Sequence, residues 1–177
     1  MMTLFKQHTF EIYTVEKAVH SDGAAVFQIL RDAASWLQKK GISQWEHLHN
    51  EVEVNEIIED IQAGITYKVM DKSGKIVAVF NLSHEQNQWD IAMWGEREDR
   101  ACYIHRLAVH ENHHNKQIGQ GILEWIDKNI QLDNGYVRLD CIANNPALNE
   151  FYQKAGYRFA GHIGEGEDKF SIYEKAF

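Results

Sequence analysis

Residues 104–120 place a strand, a polar loop and the start of a helix in direct succession, and this constrains the fold more than any other segment. The apolar residues of the strand are Ile104, Leu107, Ala108 and Val109. No apolar residue occurs from His110 to Gln117, and isoleucines one helical turn apart then follow: Ile118, Ile122, Ile126 and Ile130. A strand that leads through a short loop into a helix directs unpaired backbone N–H groups and the positive end of the helix dipole to one point. Such a point favours phosphate.

A second strand is predicted after this helix, at Tyr136–Ala143. Two strands joined by a helix form a β-α-β crossover and therefore run parallel. The other predicted elements are a strand at His8–Val15, helices at Ser21–Gly41 and Val52–Ala63, a hairpin of Ile65–Met70 with Lys75–Leu82, an irregular segment at Ser83–Arg100, a short helix from Asn145 to Gly156, and a hairpin of Tyr157–His162 with Lys169–Tyr173. This order predicts an α+β fold in which helices flank a mixed, mostly antiparallel sheet in three α/β/α layers. We expect residues 1–177 to form a single domain.

Composition excludes several classes of protein. The formal net charge of -8 disfavours nucleic acid as a partner and weakly favours a cationic or neutral substrate. No apolar run approaches the length that spans a membrane, and the N-terminus lacks the apolar core of a signal peptide. Cys102 and Cys141 lie in apolar strands without a C-x-x-C pairing, so we expect two buried free thiols. Together these features predict a cytoplasmic protein without a membrane partner.

A second informative segment begins at Val137 and ends at Phe159. Its central part is Asn145-Pro-Ala-Leu-Asn-Glu-Phe-Tyr-Gln-Lys-Ala-Gly-Tyr157. Together with the loop and helix after Val109, it resembles the acetyl-CoA-binding half of the GNAT superfamily of N-acyltransferases. The resemblance covers residues 103–159, roughly a third of the chain, and the predicted order of elements outside it also fits.

The resemblance implies direct transfer of an acetyl group from acetyl-CoA to an amine. We expect the acceptor to be a primary amine of a small molecule. The N-terminus of a peptide or protein is an alternative acceptor, and a GNAT fold that binds CoA without turnover, as a sensor or interaction module, is an alternative function. A homodimer would be unsurprising for such a protein.

The resemblance also implies which residues contact acetyl-CoA. Backbone groups of the strand would bind the pantetheine: Leu107, Ala108 and Val109. Backbone amides of the loop and the helix start would bind the pyrophosphate: His114, Asn115, Lys116, Gln117, Ile118, Gly119 and Gln120. Three asparagines would hold the pantetheine arm and the adenosine side: Asn144, Asn145 and Asn149. Tyr152 matches the family's tyrosine that hydrogen-bonds the CoA sulfur and protonates the leaving thiolate, although its helical stripe is also typical of a core aromatic.

The loop departs from the family pattern Q/R-x-x-G-x-G/A. Counting from Leu107 aligns His114, Gln117 and Gly119 with this pattern, so that a glutamine replaces the first glycine. A second register would use Lys116, Gly119 and Gly121, but it moves Glu124 and Trp125 to positions that are apolar in the family. We therefore prefer the first register, in which Gln117 adds a side chain near the ligand.

The sequence does not identify the general base. His105 is our candidate, because it lies two residues before Leu107 and therefore on the same face of the strand; His84 and Glu53 are rivals. The spacing His110-x-x-His113-His114 is more typical of solvated loop histidines than of a zinc site, so no metal is predicted. The tryptophans either belong to the core or line an acceptor pocket: Trp36, Trp45, Trp89 and Trp94.

Overall fold

The structure is a computed structural model that describes residues 4–41 and 51–177, without the side chains of residues 51–53 and 115. As far as it is described, the chain divides into two compact units. Unit 1 consists of Met1–Leu4, Leu82–His105 and Ile130–Phe177, and unit 2 consists of Phe5–Asn81 and Arg106–Asn129. No helix in the described ranges is long and apolar enough to cross a membrane.

The elements follow one another in the order β1 (Thr9–Phe10), β2 (Tyr13–Lys17), α1 (Gly23–Lys39), α2 (Glu51–Gln62), β3 (Thr66–Met70), β4 (Ile76–Ser83), α3 (Gln88–Trp94), β5 (Ala101–Val109), α4 (Ile118–Asn129), β6 (Tyr136–Ile142), α5 (Pro146–Lys154), β7 (Arg158–Ile163) and β8 (Phe170–Ala176). Short 3-10 helices occur at His20–Asp22, Glu111–Lys116 and Gly166–Asp168.

In unit 2, antiparallel pairing joins β1 to β2, β2 to β3 and β3 to β4. Helices α1 and α2 are amphipathic, and their apolar faces pack into a common core with Val79 and Ala108. The buried residues of α1 recur at helical spacing: Val26, Ile29, Leu30, Ala34 and Leu37. Helix α4 buries the face that its isoleucine repeat predicted, with Ile118, Ile122 and Ile126 each at most 2% exposed.

In unit 1, strand β6 pairs in parallel with β5 and antiparallel with β8, and β8 also pairs antiparallel with β7. The parallel pair confirms the predicted crossover. Met93 and Trp94 of α3 pack against Ala101, Tyr103 and Ile172 in a core of this unit. Cys102 and Cys141 are buried and free, as predicted.

Two sequence predictions are wrong. Residues 8–15 do not form one strand, because the chain turns at Glu11 with a φ of 50° and continues as the hairpin β1–β2. Ile12 is consequently 52% exposed at the turn instead of buried on a strand face.

The segment Ser83–Arg100 is not irregular throughout, since it contains α3. The helix begins with a capping box. The side chain of Asn87 accepts a hydrogen bond from the backbone N–H of Asp90 (2.8 Å), and Asp90 accepts one from the N–H of Asn87 (3.1 Å). The pattern Asn-x-x-Asp was visible in the sequence, but the high polarity of the segment concealed it.

Candidate active site

The predicted pyrophosphate-binding loop of unit 2 is a 3-10 helix, Glu111–Lys116, followed directly by α4. The first bond of α4 runs from the N–H of Gly121 to the carbonyl of Gln117 (3.0 Å). The N–H groups of Ile118, Gly119 and Gln120 therefore precede the first intrahelical bond and have no acceptor within α4. This is the arrangement that binds anions at helix N-termini.

Gln117 joins the 3-10 helix to α4 with φ 56° and ψ 29°, a left-handed conformation. This conformation costs a residue with a side chain about 1–2 kcal/mol but is open to glycine. A glycine is what the family pattern has here in the first register, so the backbone favours that register. The Gln117 side chain is exposed, and the substitution leaves the conformation in place.

The glycine at position 121 is explained by packing within the protein, without a ligand. A Cβ atom on Gly121 would lie 2.9 Å from Cε2 of Phe10, whose ring packs against this turn of α4. The glycine that the second register would assign to phosphate is therefore explained by the contact with β1.

The histidines of the loop are engaged within unit 2. Nε2 of His114 lies 3.0 Å from the carbonyl oxygen of Val109, and its ring meets Trp36 of α1 edge-on at 5.3 Å. The side chain of His110 accepts a hydrogen bond from the N–H of Asn112 (3.2 Å). In the described part of the chain, no three histidine, cysteine or acidic side chains are grouped so as to hold a metal ion.

Several basic side chains act on His113 of this loop. Partial burial lowers the pKa of His113, and the charges of Lys116, His110 and Lys75 lower it further, while Asp71 raises it. The basic neighbours, unlike the burial, would also attract an anion.

Within β5, Arg106 has a φ of 52°, which is unusual for a residue with a side chain. Its guanidinium pairs with Glu56 (3.2 Å) and Asp60 (3.1 Å) of α2. The expectation that His105 and Leu107 share a face assumed the side-chain alternation of a regular strand, and the backbone at Arg106 departs from that regularity. Leu107 and Val109 are partly exposed, whereas Ala108 is buried.

The three predicted asparagines lie at the start of α5 in unit 1. Asn144 is exposed in the turn after β6, and Asn145 caps α5 by accepting the N–H of Leu148 (3.2 Å). The amide of Asn149 donates to the carbonyls of Ile142 (3.1 Å) and Asn145 (2.8 Å). Because its donors are used within the protein, we expect Asn149 to contact acetyl-CoA only through its oxygen. Asn115 belongs to the 3-10 helix, and its side chain lies outside the described residues.

Tyr152 is 7% exposed on α5, among the rings of Phe151, Tyr157 and Tyr173. Burial raises its pKa well above the ordinary value, and the neighbouring Cys141 and Asp140 raise it further. A phenol is protonated at physiological pH in any case, so the state of a proton donor is available here. The burial suits a core residue equally well.

His105 has a carboxylate neighbour that the sequence did not predict. Its Nε2 lies 2.8 Å from Oδ1 of Asp90, which is only 1% exposed. Asp140 of β6 lies nearby and accepts a hydrogen bond from the indole N–H of Trp89 (3.0 Å). Burial raises the pKa of Asp140, His105 lowers it, and Asp90 raises it. Asp140 thus acts electrostatically on Tyr152 and is acted on by His105, so the predicted acid and the predicted base share one carboxylate neighbour.

The remaining candidates are the two rival bases and the four tryptophans. His84 is exposed just after β4, and the side chain of Glu53 lies outside the described residues. Trp36 and Trp89 are each 41% exposed, Trp94 is buried, and Trp45 falls in the range 42–50 that the structure does not describe. A cavity of 770 Å³ in unit 1 lies between α3 and the last hairpin, and neither His105 nor Tyr152 lines it.

Comparison with known proteins decides the family. Residues 63–159 match the acetyltransferase (GNAT) domain. The chain belongs to the GNAT acetyltransferases. It is 31% identical over 160 residues to the uncharacterized N-acetyltransferase YesJ of Bacillus subtilis, covering 89% of this chain and 87% of that protein.

This GNAT protein is also 24% identical over 163 residues to the S-(2-succino)cysteine N-acetyltransferase of Bacillus subtilis, covering 89% of this chain and 92% of the relative. A GNAT acetyltransferase structure from Streptococcus agalactiae superimposes with a TM-score of 0.80 at 18% identity, covering 97% of this chain and 99% of that chain. The predicted fold class is therefore confirmed. The protein is an N-acetyltransferase whose co-substrate is acetyl-CoA.

Proposed function

We propose that this GNAT enzyme transfers an acetyl group from acetyl-CoA directly to a primary amine of a small molecule, with Tyr152 as the general acid. The observation that carries the proposal is the position of Tyr152, which is buried on α5 where the motif from Asn145 to Tyr157 has the family's tyrosine. We further propose that residues 1–177 function as a single domain.

The chemistry requires two proton movements. The amine nitrogen attacks the thioester carbonyl, the C–N bond forms, and the C–S bond breaks as the sulfur leaves with the electron pair. Tyr152 gives its proton to that sulfur. Free thiols and phenols have pKa values of about 8.5 and 10, so the transfer is nearly balanced in water. Exclusion of water raises both values together and preserves this balance.

The loop of unit 2 fits the anionic part of acetyl-CoA. We assign the pyrophosphate to the backbone N–H groups from His114 to Gln120, supported by the helix start that follows the loop and by the basic side chains that act on His113. The pantetheine is assigned to the backbone of Leu107, Ala108 and Val109. Within unit 1, the proposed contacts are Asn144, Asn145 and the oxygen of Asn149.

A small amine is favoured as acceptor by the net charge of -8, which attracts cationic amines, and by the name of one relative, which acts on a modified cysteine. The proposal includes a homodimer, which light scattering during gel filtration would test. It also places the enzyme in the cytoplasm, in keeping with the two buried free thiols.

The test is a thiol-release assay with acetyl-CoA and a panel of diamines, amino acids, modified cysteines and peptides with free N-termini. Acetylation of the small amines alone supports the proposal, and acetylation of the peptides alone overturns the acceptor class. In the same assay, Tyr152→Phe should lower kcat roughly 100-fold while the Kd for acetyl-CoA stays within about twofold. Tyr157→Phe, which also removes a hydroxyl from this aromatic cluster, is the matched control and should keep its activity. An unchanged kcat for Tyr152→Phe would remove the acid role.

A further inference from the structure

The cavity between α3 and the hairpin of β7 and β8 has a volume of 770 Å³, and every residue that lines it belongs to unit 1. Its apolar and aromatic lining residues include Ile91, Met93, Trp94, Phe159, Ile163 and Ile172. A volume of this size, with apolar walls and a few polar groups, is typical of sites that bind small molecules.

The charged lining residues of the cavity are Arg97, Arg158 and Glu174. The carboxylate of Glu174 accepts hydrogen bonds from Arg158 (3.3 Å) and from Arg138 (3.1 Å). Arg138 is 1% exposed, and its guanidinium also donates to both oxygens of Asp99 (2.9 and 2.6 Å). Three guanidinium groups thus meet two carboxylates, and the network keeps one positive charge in excess although the protein as a whole is acidic.

Both arginines of the cavity wall keep donors for a ligand. Arg97 is 44% exposed; its Nε donates to the carbonyl of Trp94 (3.2 Å), and its Nη1 lies 3.8 Å from Asp99, beyond hydrogen-bonding distance. Arg158 is 80% exposed, and among the described residues its side chain bonds only to Glu174. A guanidinium has five N–H donors, so most of them remain available on each residue.

We propose that this cavity binds a small carboxylate with an aromatic or aliphatic body, and that the carboxylate pairs with Arg97 and Arg158. The planar fork of a guanidinium matches a carboxylate. A single excess positive charge suits a monoanion better than a phosphate dianion. The apolar body would lie against the wall that includes Phe159, which is 44% exposed. The inference goes beyond the proposed function, because this binding requires neither acetyl-CoA nor turnover.

A pair of solvated surface arginines would attract any small anion weakly, and the choice of probes separates this alternative from a built site. Calorimetry on the full chain without acetyl-CoA compares phenylacetate and hexanoate with acetate, phenylacetamide and inorganic phosphate. Acetate lacks the body, and phenylacetamide lacks the charge. We expect phenylacetate or hexanoate to bind roughly tenfold tighter than any of the other three. Equal affinities, or no binding of either probe at millimolar concentration, overturn the proposal.

Arg97→Gln and Arg158→Gln test the charged part of the site. Each should weaken binding of the best carboxylate roughly tenfold. The matched control is Arg100→Gln, which removes the same charge from unit 1 outside the cavity, where Arg100 donates to the carbonyl of Asp133 (3.2 Å). The control should stay within about twofold of the unmodified protein. A loss no larger than that of the control, or confined to one arginine, overturns the paired site.

Phe159→Ala tests the apolar wall and should weaken phenylacetate binding roughly fivefold. Ile12→Ala is its control, since Ile12 is similarly exposed (52%) and belongs to unit 2. Thermal melts establish first that both variants are folded. Equal affinities of the two variants would show that the apolar wall takes no part.

Two sources could supply such a carboxylate, and competition distinguishes them. If the ligand is an amino acid that serves as acceptor, phenylacetate should compete with it, and Arg97→Gln should raise its KM roughly tenfold without affecting an amine that lacks a carboxylate. If the ligand is a separate effector, phenylacetate should bind equally well in the presence of a saturating acceptor. Acetylation of small amines without any carboxylate binding would overturn the cavity site and leave the proposed function standing.

Discussion

The hydroxyl of Tyr173 donates a hydrogen bond of 2.7 Å to Oδ1 of Asn149 and so joins β8 to α5. The bond orients the amide that we expect to contact acetyl-CoA, because the donors of Asn149 are already held by the carbonyls of Ile142 and Asn145. A residue of β8, which lies outside the family motif, therefore orients one of the predicted contact residues on α5.

Tyr173→Phe should lower the free energy of unfolding by about 1 kcal/mol, because it leaves a partly buried amide oxygen without this donor. In a protein of this size the thermal midpoint would fall by roughly 2–4 °C. The KM for acetyl-CoA should rise as Asn149 loses its orientation. Tyr136→Phe is the control, since its ring packs beside Arg138 and would be retained, and its stability should change by less than about 0.5 kcal/mol. Equal behaviour of the two variants would show that the hydrogen bond contributes nothing.

Gln117→Gly should raise the free energy of unfolding by about 0.5–1 kcal/mol. Relief of the left-handed conformation outweighs the entropy that glycine gains in the unfolded chain. Denaturant titration measures the change, and Gln117→Ala, which keeps the strained backbone, should show no gain. Thermal melts of both variants with acetyl-CoA then report on the ligand. A larger acetyl-CoA shift in the glycine variant would mean that the Gln117 side chain hinders binding, and an equal shift would mean that the loop accommodates it.

Gly121→Ala should lower the free energy of unfolding by about 1 kcal/mol. A methyl group at position 121 would lie too close to the ring of Phe10, and the cost of this overlap exceeds the gain in helix propensity. The Kd for acetyl-CoA should not change, since our preferred register places Gly121 outside the phosphate-binding set. In a Phe10→Leu background the same substitution should become neutral or stabilising. Weaker acetyl-CoA binding at unchanged stability would instead favour the register through Lys116, Gly119 and Gly121.

Asp22 should contribute to the pH dependence of stability. Burial alone would raise its pKa, but hydrogen bonds from the ammonium of Lys68 and the N–H of Val19 (each 2.8 Å) outweigh burial and lower it. The stabilisation is therefore present above pH about 4, near the unfolded pKa, and is lost as the pH falls through the lower folded value. Asp22→Asn should cost about 1–2 kcal/mol at pH 7 and less at pH 3. Lys68→Met should weaken this pH dependence. If the stability difference between Asp22→Asn and the unmodified protein is the same at pH 3 and pH 7, the role of Asp22 in the pH dependence is refuted.

Most of the elements could be predicted because their signals are local. The cap at Asn145, the proline that follows it and the left-handed Gly156 define α5 within a few residues. The turn at Glu11 was missed because this residue type carries no turn signal, so alternation alone suggested a continuous strand. The Asn87–Asp90 capping box shows that a short polar helix can be overlooked when periodicity is the main criterion.

The sequence by itself indicated the family, the helix start at which we propose that phosphate binds, and the place of Tyr152 in the motif, since each depends on residues close together in the chain. Only the tertiary structure decided which charges meet. Asp90 reaches His105 because α3 packs beside β5 in unit 1, and Asp140 joins them from β6. Electrostatic interactions depend on distance in space and are not encoded in spacing along the chain. For this reason the sequence analysis could name only His105 as a candidate base, and its carboxylate neighbours are visible only in the fold.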